Sequence, residues 1–107
     1  MARAPAKRSK PHPDLRPCHP GAILREIMLP AVHKPMGEVA KALGVSQKHL
    51  SDFVNEKVAL SPDLAIRLEA AFGRTAAAWL RMQETYDLWH ARRAIDVSQI
   101  PKFKPAA

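Results

Sequence analysis

Apolar residues recur along this chain at helical spacing, in blocks separated by glycine, proline and hydroxyl residues. Between Met36 and Asn55 the blocks are shortest. Val39, Ala40 and Leu43 mark one helix face; Leu50, Phe53 and Val54 mark another, with Val45 between them. Gly44 stands at the break, where it can take the left-handed conformation that ends a helix. Ser46 follows in position to N-cap the next helix. Two helices joined this tightly cross at a steep angle, and a small residue at Ala40 lets them approach. That is the geometry of a helix-turn-helix.

The flanking pattern predicts three more helices. Ile23, Leu24, Ile27 and Met28 form the stripe of a first helix that begins near His19-Pro20-Gly21, where proline has no N–H to lose. Pro30 closes it, Arg25 and Glu26 face outward, and residues 30–35 form a link in which His33 is an exposed loop residue. On the other side, Leu64, Leu68, Ala71 and Phe72 mark a fourth helix. Ser61 caps it, Pro62 is its first residue, Leu60 staples across the cap, and Gly73 ends it. Thr75 then caps a fifth helix running to about Ala94. Its Trp79, Met82, Tyr86 and Trp89 share a face that Leu80, Leu88 and Ala91 widen. Trp79 reads as core, whereas Tyr86 and Trp89 lie towards the far end and read as a subunit interface. There is no strand pattern and no internal repeat. The fold class is all-α, with five helices.

Length and charge narrow the reading. The 107 residues suit one domain with tails, and 47% hydrophobic content is enough for a modest core. The division expected is a basic arm at 1–18, a helical domain at 19–94 and a flexible tail at 95–107. Four prolines interrupt the arm, and its Arg3, Lys7, Arg8, Lys10 and Arg16 outnumber Asp14. It reads first as a disordered, solvated segment, and second as an arm that follows a DNA backbone or enters a minor groove. Seventeen Lys and Arg against ten Asp and Glu give a net charge of +7, which favours a polyanionic partner, above all nucleic acid. The single cysteine, Cys18, excludes an intramolecular disulfide, and His12, Cys18 and His19 lack metal-ligand spacing, so no metal or cofactor is expected. No apolar run approaches a membrane span or opens the chain as a signal segment, so the expected location is the cytoplasm.

The candidate chemistry lies on the helix after Gly44. Gln47 can make a bidentate contact to adenine, and Lys48 can donate to guanine N7 or O6. Ser51 is a turn beyond Gln47, and His49 stands to one side. Asn55 and Lys57, at the helix end, are candidates for contacts to the DNA backbone, and Ser46, at the helix start, is a further DNA-binding candidate. Asp52 can accept from a cytosine amine or pair with Lys48. No enzyme is expected. Ser46, His49 and Ser51 share a helix, but neither an acid nor an oxyanion donor completes a nucleophilic site, and Asp87 and His90 read as a surface pair. A protein-binding module whose basic face meets an acidic partner is the competing class; failure to retain any duplex DNA, whatever the salt, would favour it, since DNA binding weakens steeply with salt.

With five helices laid out, the chain resembles the Xre/Cro-like repressors and, more narrowly, the HigA (VapI-like) antitoxins. The matching stretches are HPGAILREIMLP at 19–30, the pair at 36–55, LSPDLAIRLEAAFG at 60–73 and TAAAWLRMQETYDLWHA at 75–91. The most specific run is Trp79, Leu80, Gln83, Tyr86, Asp87 and Leu88. The resemblance implies a lambda-repressor-like DNA-binding domain and a homodimer on a palindromic operator in double-stranded DNA. It further implies autorepression of an operon and binding of a HigB-type toxin; a stand-alone Xre-type regulator is the alternative. Two positions depart from the family pattern. Gly37 stands where a glutamine often touches a phosphate, leaving only its backbone N–H. Asn55-Glu56-Lys57 stands where Asn-Gly-Lys/Arg is common, and Glu56 is expected to turn away from the DNA.

Overall fold

The structure, a computed structural model, describes residues 16–106. The arm expected at 1–18 therefore lies, for residues 1–15, outside the described residues. Five helices and no strand are found among the described residues. Helix α1 (20–32) has three continuous segments, Pro20–Ile23, a π-helical turn at Leu24–Met28, and Leu29–Val32. α2 is Met36–Leu43, α3 is Gln47–Val54, α4 is Pro62–Phe72 and α5 is Ala76–Ala94. Residues 95–106 contain no helix or strand and are exposed.

The caps form as the residue types dictate. The hydroxyls of Ser46, Ser61 and Thr75 accept from the N–H groups of His49, Leu64 and Ala78 at 3.0–3.1 Å. Gly44 and Gly73 end α2 and α4 with φ of 79° and 89°. The cap of α1 is less usual: Nδ1 of His19 accepts the Gly21 N–H at 2.9 Å. An atom added at Gly21 would overlap the Phe53 carbonyl, so glycine is what lets the start of α1 touch α3.

One core holds the helices together. Leu24 of α1, Val39, Ala40 and Leu43 of α2, Leu50, Phe53 and Val54 of α3, Leu60, Leu64, Ala65 and Leu68 around α4, and Trp79 of α5 are all buried in it. α2 packs on α3 and α4, α4 on α5, and α1 on both α3 and α5. Every residue assigned to the two short helix faces from spacing alone is in this core. Val45 lies half-buried between them.

The outer helices depart from the expected pattern. Pro30 does not close α1, which continues to Val32 and stops at His33 in the left-handed region with φ 59°. The proline ring would clash with the carbonyl four residues back in a regular helix. The chain instead widens to a five-residue spacing, with the Leu29 N–H bonded to the Leu24 carbonyl. The wide turn changes the facing of the residues in and after it, so Ile27 is 61% exposed while Leu29 and Val32 pack on the core. In α4, Ala65 rather than Ala71 is buried. Towards the end of α5, Leu88 and Ala91 are exposed and do not widen the core face. Asp87 does not pair with His90 as expected; it accepts from Nε2 of Gln83 at 2.9 Å.

Candidate nucleic-acid interface

The terminal turns of α2 and α3 are built alike. At the end of α2 the Gly44 N–H bonds to the Lys41 carbonyl, and the Val45 N–H bonds to the Ala40 carbonyl at 3.0 Å. At the end of α3 the Glu56 N–H bonds to the Phe53 carbonyl, and the Lys57 N–H bonds to the Asp52 carbonyl at 2.8 Å. Both are Schellman motifs, with the residue after the cap in the left-handed region. That residue is Gly44 in one and Glu56, φ 62°, in the other.

An arginine from outside the pair clamps each end. The Arg67 guanidinium of α4 donates to the Leu43 carbonyl at 2.8 Å and is held by an ion pair with Asp63. Arg25 of α1 donates to the Val54 carbonyl at 2.6 Å and pairs with Glu56 at 3.3 Å and with Glu26 at 2.9 Å. Arg25 therefore turns inward to α3, against the expectation that it faces outward. Its charge meets the last carbonyls of a helix, where a cation is favoured. Glu56 turns its carboxylate to Arg25.

These clamps set α3 in place with its outer face clear. Ser46, Gln47, Lys48 and His49 are exposed at its start, Ser51 is half-buried a turn on, and Asn55 and Lys57 are exposed at its end. These seven expected DNA-binding residues thus lie on one short helix and its exit. Nζ of Lys48 pairs with the Asp52 carboxylate at 2.8 Å. That pairing raises the Lys48 pKa and lowers that of Asp52, chiefly through the shared hydrogen bond. Nδ2 of Asn55 donates to the Ser51 hydroxyl at 3.3 Å. Ser46 uses its lone pairs on the cap, so its O–H remains available as a donor.

Tyr86 and Trp89 lie apart from this face, on α5. The Tyr86 ring meets His19 edge-on at 4.9 Å between centroids and His90 at 4.4 Å. The Arg93 guanidinium lies 3.6 Å from the Trp89 ring centroid and that of Arg16 lies 5.8 Å away. Both aromatic residues are half-buried by these contacts within the chain.

The exit loop of α3 hangs from α5 and α1. Oε1 of buried Gln83 accepts the Leu60 N–H at 2.9 Å. The His19 ring packs at its start against Phe53, with ring centroids 5.7 Å apart. Burial lowers the His19 pKa below 6.5, partly opposed by Glu56, Val58 and Asp87, with Arg25 acting in the same direction as burial. His19, Arg25, Arg67 and Gln83 were not assigned these roles from the sequence. For Arg67 a signal existed, since Asp63 precedes it by one helical turn. For the left-handed Glu56 the signal was the position of glycine in related Asn-Gly-Lys sequences.

A short, capped helix presented across a second one, with polar side chains outward and its own ends neutralised, defines a helix-turn-helix DNA-binding domain. The Helix-turn-helix family profile matches residues 24–80, just over half of the chain. Virulence-associated protein I of Dichelobacter nodosus is 46% identical over 74 residues, 65% of each chain. Antitoxin HigA-1 of Vibrio cholerae is 38% identical over 81 residues, 72% of each chain. The solved structure of Pseudomonas aeruginosa antitoxin HigA with the higBA promoter superposes with a TM-score of 0.70 at 39% identity, covering 74% of this chain and 86% of that one. The chain belongs to the Xre-type helix-turn-helix family, among the HigA and VapI antitoxins. The lambda-repressor-like fold expected from the sequence is the fold of these relatives. Among the described residues no helix is long and apolar enough to cross a membrane, and no cluster of three metal-ligating side chains occurs.

Proposed function

We propose that the chain is a sequence-specific repressor of its own operon in the cytoplasm and the antitoxin of a HigB-type toxin, with no catalytic step of its own. The observation that carries this is the polar row on α3, exposed Gln47, Lys48 and His49 with half-buried Ser51 a turn on, on a helix pair whose two ends are held by the arginine clamps. A relative with the same fold has been solved with its promoter, which supports the reading. In this scheme α3 enters the major groove from its N-terminal end. Gln47 and Lys48 meet base edges there, while Ser46, Asn55 and Lys57 fix the register on phosphates. One short helix reads few base pairs. A homodimer on a palindromic operator sets two such helices about 34–36 Å apart, one turn of DNA. The far end of α5 is the face we assign to that dimer. Leu88 is 46% exposed there, beside Tyr86 and Trp89.

The test uses the DNA upstream of the chain's own gene. A duplex of this region should be retained in preference to random duplex, with affinity falling steeply as salt rises. Gln47→Ala should lower that preference; equal weakening on both duplexes would remove Gln47 from base reading. Co-purification with the product of the neighbouring gene separates an antitoxin from a stand-alone regulator.

A further inference from the structure

We propose that Gly37 sets the sequence preference at the base pair read by Gln47, by leaving the Gln47 carboxamide room to lie back against α2. The inference rests on the reading of Gln47 as a base-reading residue. Gly37 is the second residue of α2 and Gln47 the first of α3. A Cβ added at Gly37 would stand 3.0 Å from Oε1 and 3.6 Å from Cδ of Gln47. The glutamine side chain thus occupies the space that any other residue at 37 would fill. The backbone itself does not ask for glycine there. Positive φ values among the glycines occur only at Gly44 and Gly73, and Gly37 is within a regular helix. In such a position glycine weakens the helix relative to alanine. What the missing side chain supplies is space, and among the described residues Gln47 is its only near neighbour across the turn.

The consequence falls on recognition. Gln47 is exposed and has three rotatable side-chain bonds. It can lie back over Gly37 or extend into the groove. The extended form makes the bidentate adenine contact; the folded form leaves that base pair unread. A protein whose reader has both choices must order it on binding, and in doing so loses discrimination. A Cβ at 37 crowds the folded choice, which must give by a few tenths of an ångström to persist, and so shifts the balance towards the extended one. Because the crowded atoms belong to the end of a flexible side chain, Gln47 yields and the fold is kept.

The experiment selects bound duplexes from a random-sequence pool with the full-length chain and sequences them. Four proteins are compared: the natural chain, Gly37→Ala, Gln47→Ala and the double variant. Gly37→Ala should sharpen the preference at one base pair in each half-site by about threefold, the scale of ordering one such side chain. In the Gln47→Ala background the same substitution should change nothing at that base pair. Gly37→Ser supplies the same Cβ and should reproduce the effect. If Gly37→Ala and Gly37→Ser leave the preference unchanged, or sharpen it equally without Gln47, the inference is overturned while the reading of Gln47 stands. If Gln47→Ala alters preference nowhere, Gln47 does not read bases and both fall together.

Discussion

The ends of α2 and α3 solve one problem with different residues. Each helix must stop abruptly, and each does so through the same pair of backbone hydrogen bonds with an arginine on the terminal carbonyls. At the end of α2 the left-handed residue is Gly44, which adopts that conformation without steric cost. At the end of α3 it is Glu56, whose Cβ is crowded by the backbone there. The first end is relaxed and depends on the absence of a side chain. The second is strained and uses its side chain, through the Glu56–Arg25 pair, to join α1 to the exit of α3. Identical backbone geometry can therefore be reached by removing atoms or by tethering them.

Substitutions separate the two solutions, and the largest effect is expected at the relaxed end. Gly44→Ala puts a Cβ at 2.5 Å from a guanidinium nitrogen of Arg67 as well as in the left-handed region. A loss of about 2 kcal/mol in denaturant titration is expected. Arg67→Ala should cost less, about 1 kcal/mol, since water can reach part of the carbonyl it leaves. Glu56→Gly relieves strain of about 1 kcal/mol while removing the ion pair, so the net stability should hold or rise slightly. The same variant removes a carboxylate beside the candidate DNA face. Its affinity for the upstream duplex should rise about twofold to threefold at low salt and converge with the natural chain at high salt. A fall in both stability and affinity would show that the tether outweighs the strain.

The smallest effect is a pH dependence carried by His19. Burial depresses its folded pKa below the unfolded 6.5. Above 6.5 both states are neutral there and its contribution to stability is complete. As pH falls through 6.5 towards the folded value, the unfolded chain takes up a proton that the folded chain refuses, and stability declines. Melting temperatures between pH 7.5 and about 5 should show this decline against the carboxylate background. His19→Asn keeps an acceptor at the cap and should flatten it.

Much of this arrangement was legible beforehand, and particular residues show where legibility stopped. Gly44, Ser46, Ser61, Gly73 and Thr75 act within a few residues of themselves, so spacing and residue type were enough to place the ends of the middle and last helices. The buried face of α2 and α3 followed from periodicity for the same reason. Pro30 misled because the local rule has an escape: a wider turn relieves the clash and lets the helix go on. Ile27 and Leu29 then exchange roles, which no straight helical wheel foresees. Arg25 and Arg67 reach carbonyls 29 and 24 residues away, and such partners are set by tertiary packing. Gln83 belongs to the same class, a polar residue whose burial makes sense only once the Leu60 N–H is beside it. The candidate DNA face was readable as a set of residues, while the means of holding it were not.

The Lys48–Asp52 pair has a thermodynamic consequence for binding. A lysine brought into the groove, among the phosphates that line it, ordinarily releases a condensed cation from the DNA and gains from the mixing of that ion into solution. Lys48 already has an anion beside it at 2.8 Å. When it moves into the groove to a base edge, Asp52 is left to recruit a cation from the same solution. The two exchanges largely cancel, so this contact adds direction and little ionic entropy. Binding by α3 should then respond to salt less steeply than a net charge of +7 suggests.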